Sequence, residues 1–266
     1  MSSGRLEIKT VEKVWGMDNL PAPFTRDDQS ARIGEIWFQP STAMTELLVK
    51  YLFTNEKLSV QVHPNGEASP TGCGKEECWL ILDAQPGAKL AVGFVREVSA
   101  DEMRAAALDD TIEDLLHWRE VRTGDFFYIP AGTVHALGAG LTLLEVQENT
   151  DITYRLYDYG RPRELHLDEG LAVSKGQPYP DDLSQTVPSD QEILLVDGPQ
   201  FTLAQVIGQP SQDIESRFAG PVQVMPLSGS VMIGDSMIEP GQSALADTLR
   251  DVAFQENART MIARPS

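Results

Sequence analysis

Short apolar runs that alternate with polar residues, turn signals between them and a single helix-starting sequence predict a mainly β protein. It has two barrel-type units, with a small helical segment in the first. Leu58, Val60 and Val62 alternate with Ser59, Gln61 and His63, the period of a half-buried strand. Glu77 to Leu82, Phe126 to Ile129 and Leu141 to Gln147 are three further strand runs. Asn65-Gly66 and Ser69-Pro-Thr-Gly-Cys-Gly74 supply loop chemistry between the first two.

The helical exception starts at Ser99-Ala-Asp-Glu102, a capping-box sequence with glutamate three residues after the N-cap serine. Met103, Ala107, Ile112, Leu115 and Leu116 follow at near-helical spacing. This predicts helix over about 99–118, as two short pieces packed on the barrel. His117 then falls at a helix end, in a structural or surface role. From about 174 to 191 the composition shifts to Gly, Pro, Ser, Gln and Asp, which reads as a linker or a surface crossing. Strand runs resume at Ile193–Val196, Thr202–Val206, Val222–Pro226 and Val231–Ile233. Met237-Ile-Glu-Pro-Gly-Gln-Ser-Ala-Leu245 then repeats a Pro-Gly turn between apolar strands. The expected division is 1–175, 176–191 as linker, and 192–266. All four histidines precede residue 170, so the second unit has none with which to build a site and is expected to be structural.

The chain has 266 residues, ample for one large or two small domains, and its 41% hydrophobic and 23% charged fractions are ordinary for a soluble globular protein. No apolar run reaches the ~20 residues of a membrane helix, and the opening Met-Ser-Ser-Gly-Arg lacks the apolar core of a secretory signal. Cys73 and Cys78 read as reduced thiols, so a cytoplasmic location is expected. A net charge of −19 argues against nucleic acid and anionic membrane as partners. Against that background Arg155, Arg161 and Arg163 stand out. They either balance Asp151, Asp158 and Glu164 or line a pocket for an anion.

Chemistry concentrates in two stretches. Gly124-Asp-Phe-Phe-Tyr-Ile-Pro-Ala-Gly-Thr-Val-His135 has the pattern G-x5-P-x-G-x2-H: a glycine turn, a strand, a Pro-Ala-Gly turn and a delivered histidine. Gln61-Val-His63 places two metal-competent side chains on one strand face. Two imidazoles brought together from distant strands are half of a metal site, an arrangement that resembles the cupin-type β-barrel. A carboxylate to join them lies in Gly74-Lys-Glu-Glu-Cys-Trp79. Alternation sends Glu76 and Glu77 to opposite faces and does not choose between them. The usual cupin pattern has His-x-His with a glutamate soon after. Here Gln61 replaces the first histidine, and the glutamate lies 14 residues beyond His63 when Glu77 is counted.

These motifs, with Glu12-Lys-Val-Trp-Gly16, Leu58-Ser-Val-Gln-Val-His-Pro64, Thr153-Tyr-Arg-Leu-Tyr-Asp-Tyr-Gly-Arg161 and Arg163-Glu-Leu-His166, resemble the short-form, class I mannose-6-phosphate isomerases of the cupin superfamily. The resemblance covers most of residues 10 to 170 and weakens past 190. The chain also lacks the helical insertion of the long forms. It implies an N-terminal metal-binding catalytic barrel and a degenerate C-terminal barrel. It implies one zinc ion per chain held by Gln61, His63, Glu77 and His135, and so selects Glu77. It also implies a catalytic Arg155, with Ser59, Lys75 and Arg161 near the phosphate of a small sugar-phosphate substrate. Interconversion of mannose 6-phosphate and fructose 6-phosphate through an enediol needs a proton carrier, for which His166, Asp158 and Glu148 are candidates by type. Two other readings remain at this level: a metal-dependent cupin oxygenase, and a sugar-phosphate sensor without turnover.

Overall fold

A computed structural model describes residues 4–25 and 31–266. The opening Met1-Ser2-Ser3, part of the stretch read for a leader, lies outside the described residues. The chain forms four antiparallel sheets stacked as layers, and the alternation in each strand decides which layer each side chain enters.

The first unit is a sandwich of two open sheets. A seven-stranded sheet runs in the order Ser184–Thr186, Asp125–Ile129, Glu77–Ala84, Leu141–Glu148, Leu47–Thr54, Ile33–Phe38, Ile8–Met17. A five-stranded sheet runs Tyr154–Tyr157, Val60–Val62, His135–Leu137, Lys89–Phe94, Leu116–Glu120. Trp79, Ile81 and Leu143 of the first sheet pack against Leu90, Val92 and Leu137 of the second. The outer face of the five-stranded sheet (Val60, Val62, Ala91, Leu156) is covered by Met103, Ala106 and Ile112 of the helical segment and Leu171 of the Leu167–Val173 helix.

The second unit repeats this plan. A six-stranded sheet (Gly4–Arg5, Ala244–Ala246, Val222–Ser228, Arg259–Pro265, Phe201–Ile207, Ile193–Asp197) faces a three-stranded one (Ser236–Ile238, Val231–Ile233, Val252–Phe254). The back of the seven-stranded sheet, with Tyr51, Phe53, Leu80, Phe126 and Leu144, packs on Phe201, Leu203, Met225 and Met261 of the six-stranded sheet.

Three local expectations change. Helix covers Ala100–Leu108, with Ser99 accepting from the Glu102 N–H, and Ile112–Leu115, but stops there. Leu116–Glu120 is a strand because it pairs with Lys89–Phe94, so His117 lies on a sheet edge rather than at a helix end. The Gly/Pro-rich stretch 176–191 contributes Ser184–Thr186, hydrogen-bonded to Asp125–Ile129 as an edge strand of the first unit. Gly4–Arg5 conversely pairs with Ala244–Ala246 of the second unit.

Candidate metal centre and cavity

Register builds the site. His135 lies directly opposite Gln61, and Arg155 lies opposite Gln61 from the other side, so three adjacent strands place the three side chains in one cross-sheet row. Alternation puts Ser59 and His63 on the same face as Gln61, while Val60 and Val62 turn to the helices. The turn that delivers His135 depends on Gly132. Its φ is +85°, and a Cβ there would come within 2.8 Å of the Val173 carbonyl oxygen. Glu77 enters from the facing sheet. Glu76 points the other way, its carboxylate accepting from the Tyr128 hydroxyl, which separates the two glutamates.

His63, Glu77 and His135 are all buried, and their ligand atoms lie within 4.8 Å of one another, the one such cluster of His, Cys, Asp or Glu found among the described residues. The Nδ1–H groups of His63 and His135 each donate to a backbone carbonyl, Ile152 and Thr133, at 2.9 Å. That fixes the tautomer and leaves both Nε2 atoms as lone-pair donors beside Glu77, the His63 one accepting a hydrogen bond from Lys75 Nζ at 3.0 Å. Glu77 Oε2 is 3.6 Å from His63 Nε2, and Oε1 is 3.5 Å from His135 Nε2. Four donors held tetrahedrally at zinc-like bond lengths sit about 3.3–3.5 Å apart, so this set fits a divalent cation. Gln61 Nε2 lies 3.2 Å from His135 Nε2, and Gln61 Oε1 accepts from Ser59 Oγ at 3.1 Å. A half-turn of the amide exchanges the two, aiming the oxygen at the cluster and the NH2 at Ser59 Oγ. Burial, followed by the Lys75 charge, pushes His135 down to about 4, and the same causes hold His63 well below its ordinary value. Both are neutral imidazoles, as ligation requires.

A cavity of about 390 Å³ opens beside this cluster, lined in part by Ser59, Gln61, Lys75, Arg155, Arg163 and His166. Its floor is a ladder of paired charges. Lys75 Nζ lies 2.9 Å from Glu77 Oε2 and 3.9 Å from Glu145 Oε1. Lys50 Nζ meets Glu145 Oε1 at 3.3 Å, and Lys13 Nζ meets Glu35 Oε1 at 3.2 Å. Burial works against the Lys75 charge, but Glu77 and Glu145 outweigh it and raise its pKa. Burial raises the pKa of Glu145 despite Lys50.

Arg155 differs from every lysine here. It has no carboxylate partner within salt-bridge distance among the described residues. Its Nη1 donates to the Glu164 carbonyl at 3.3 Å, and its Nε is buried without an acceptor. Burial, then the neighbouring Arg163, lowers its pKa.

Of the sequence candidates, Ser59, Gln61, Lys75, Arg155 and His166 line the cavity, and His63, Glu77 and His135 lie at its end. Arg161 does not line it. It is held by Asp158 at 3.2 Å, Glu56 at 3.3 Å and the Lys57 carbonyl at 2.8 Å. Asp158 is engaged by Arg161 and Arg163, and Glu148 accepts the Glu76 N–H, so neither faces the cavity. Arg163, one of the three clustered arginines, lines the cavity, and Lys50 and Glu145 line it without having been singled out. Lys50 and Glu145 were visible as lone charges inside apolar strands.

Paired open sheets and a buried two-histidine, one-glutamate set define a cupin-class protein with a candidate metal centre. No family model matches the chain. A probable mannose-6-phosphate isomerase of Bacillus subtilis strain 168 is 31% identical over 256 residues, covering 90% of this chain and 73% of that protein. The chain belongs to the mannose-6-phosphate isomerase family. A second B. subtilis mannose-6-phosphate isomerase is 43% identical over 137 residues, and one from Streptococcus mutans is 36% identical over 156. In these two matches the chain spans 43% and 49% of the relative's length. The crystal structure of the mannose 6-phosphate isomerase from B. subtilis superposes with a TM-score of 0.81 over 99% of this chain and 100% of that one, at 23% identity. The apo phosphomannose isomerase fold of Salmonella typhimurium superposes with a TM-score of 0.72 at 15% identity, covering all of both chains.

Proposed function

We propose that this chain is a metal-dependent aldose–ketose isomerase that interconverts mannose 6-phosphate and fructose 6-phosphate through an enediol. One zinc ion is held by Gln61, His63, Glu77 and His135. The observation that carries the reading is the cross-sheet row His135–Gln61–Arg155, which sets a guanidinium without a carboxylate beside the candidate metal centre. The relatives' names support the same activity.

The reaction moves a proton between C2 and C1 while negative charge builds on the two attached oxygens. A bound divalent ion supplies Lewis-acid polarisation of those oxygens. Arg155 stabilises the enediolate, since its charge is not spent on a protein carboxylate. His166 Nδ1 accepts the Arg155 backbone N–H at 3.2 Å. In its neutral form it therefore carries its proton on Nε2 and acts as a donor to a substrate oxygen, while the proton taken from one carbon and returned to the other is carried by an acid lining the cavity, Glu35, Glu145 or Asp151. Ser59, Lys75 and Arg163 line the same cavity and suit the phosphate dianion. Arg161, expected from the resemblance to share that role, instead steadies Asp158, which in turn orients Arg163.

The test is a coupled isomerase assay on purified protein before and after chelation, paired with elemental analysis. The expected result is one divalent metal per chain, activity lost with the metal and restored by zinc. Full activity in metal-free protein, or none in metal-loaded protein, overturns the reading.

A further inference from the structure

A second cavity, about 210 Å³, lies where the back of the seven-stranded sheet meets the six-stranded sheet. Alternation along Leu47–Thr54 sends Lys50 to the first cavity and Tyr51 to this one, so the two sites share a strand but not a face. Thr142 sits opposite Phe53 on the same face as Tyr51. Both Tyr51 and Thr142 line the cavity, and neither hydroxyl is counted among the buried orphan atoms, so each is open to an occupant of the cavity rather than sealed in the wall.

From the other wall comes Arg259. Its Nε donates to Gln205 Oε1 at 2.6 Å, and Gln205 is itself fixed by donating to the Pro188 and Gln191 carbonyls at 2.7 Å. Arg259 Nη2 is buried without an acceptor, and no carboxylate lies within salt-bridge distance of the guanidinium among the described residues. In a chain with 40 acidic and 21 basic residues, a half-buried arginine left uncompensated is notable. Among the described residues one other arginine, Arg155, has a buried orphan nitrogen and no carboxylate partner, and it faces the proposed substrate. Among the described residues the one acid lining this cavity, Asp83, is exposed to solvent. The remaining wall is apolar: Pro23, Phe24 and Leu227, with the Phe24 and Tyr51 rings 4.5 Å apart.

We propose that this cleft between the two units binds a small oxyanion carried on an apolar body, with the Nη1/Nη2 edge of Arg259 and the Tyr51 and Thr142 hydroxyls as donors. A carboxylate or phosphate can accept from the guanidinium and from both hydroxyls, and the proline and phenylalanine wall takes the carbon skeleton. Desolvation, with no neighbouring acid to offset it, lowers the pKa of Arg259, in line with a guanidinium short of an anion.

The test is calorimetric titration of the metal-loaded protein with benzoate and phenyl phosphate, using benzyl alcohol as the uncharged control. The anions are expected to bind and the alcohol not. Arg259→Gln should weaken benzoate by at least about tenfold, and Tyr51→Phe by less. Arg259→Lys, which keeps the charge, should retain part of the affinity and guards against a merely misfolded variant. Arg155→Ala should leave benzoate binding unchanged. No binding of either anion, binding indifferent to Arg259→Gln, or binding abolished by Arg155→Ala and kept in Arg259→Gln would each overturn the proposal.

Discussion

The interiors of the two sandwiches follow one plan and differ in content. Between the sheets of the second unit, Val206, Val224, Ala246 and Ile262 meet Val231, Ile238 and Val252 in a mainly aliphatic core that also takes in Phe218. Between the sheets of the first, an apolar cluster sits beside His63, Glu77, His135, Lys75, Lys50 and Glu145, all buried. Burying charge costs several kcal/mol per ion unless each is paired, and here nearly every one is. The first unit thus gives up packing for chemistry and recovers stability elsewhere. It is clad by helices on one face and by the second unit on the other. On the proposed function the second unit is a support, its interior being apolar where the first unit's is charged.

The most severe way to break this division is to remove the support. Cutting the chain near residue 190 bares Tyr51, Phe53, Leu80, Phe126 and Leu144, each worth about 1.5–3 kcal/mol of burial. The expected product is insoluble, as read by sedimentation after expression. A soluble fragment with full activity would show that the second unit is dispensable.

Next in size is the metal set. Changes to residues that merely orient ligands cost about 10–100-fold, so loss of a ligand should cost more. His135→Ala should lose both bound metal, by elemental analysis, and activity by over ~10²-fold, while remaining folded by circular dichroism.

Arg155→Ala sharpens the contrast between free and paired charge. Loss of a preorganised donor to the developing enediolate should lower kcat by about 10²- to 10³-fold with metal content intact. Arg163→Ala, whose charge Asp158 already offsets, should act mainly on KM. A normal kcat in Arg155→Ala would move this residue from chemistry to substrate holding.

The smallest functional effect is expected from the aliphatic core. Ile262→Ala should cost about 2–5 kcal/mol of stability in denaturant unfolding, yet leave kcat per folded molecule within about twofold of the parent. A large fall in kcat at unchanged stability would tie the second unit to the reaction.

Much of this was legible in the alternation. Ser59, Gln61 and His63 had to share a face, and the G-x5-P-x-G-x2-H turn had to deliver a histidine, so their convergence followed from local rules. What local rules lacked was the partner. Glu76 and Glu77 differ only in that one meets the Tyr128 hydroxyl and the other the histidines. Arg161 and Arg163 differ in the same way. Glu56 and the Lys57 carbonyl, about 100 residues upstream, draw Arg161 away from the cavity. The helix was expected to run on through Trp118 because its apolar spacing continues. Pairing with Lys89–Phe94 outweighed that spacing from Leu116 onward.

The two-residue strand Gly4–Arg5 has a temporal meaning. Its hydrogen-bonding partners are Leu245 and Ala244, some 240 positions later. On a ribosome adding about 5–20 residues per second, the strand waits on the order of ten to fifty seconds for a ladder to join. Until then the six-stranded sheet cannot close its edge. The first sandwich has meanwhile had all its own strands up to Ser184–Thr186 available. The strands of the first unit are therefore all present well before the last pairing, and the crossing of Gly4–Arg5 into the other unit makes that pairing a latch between the two.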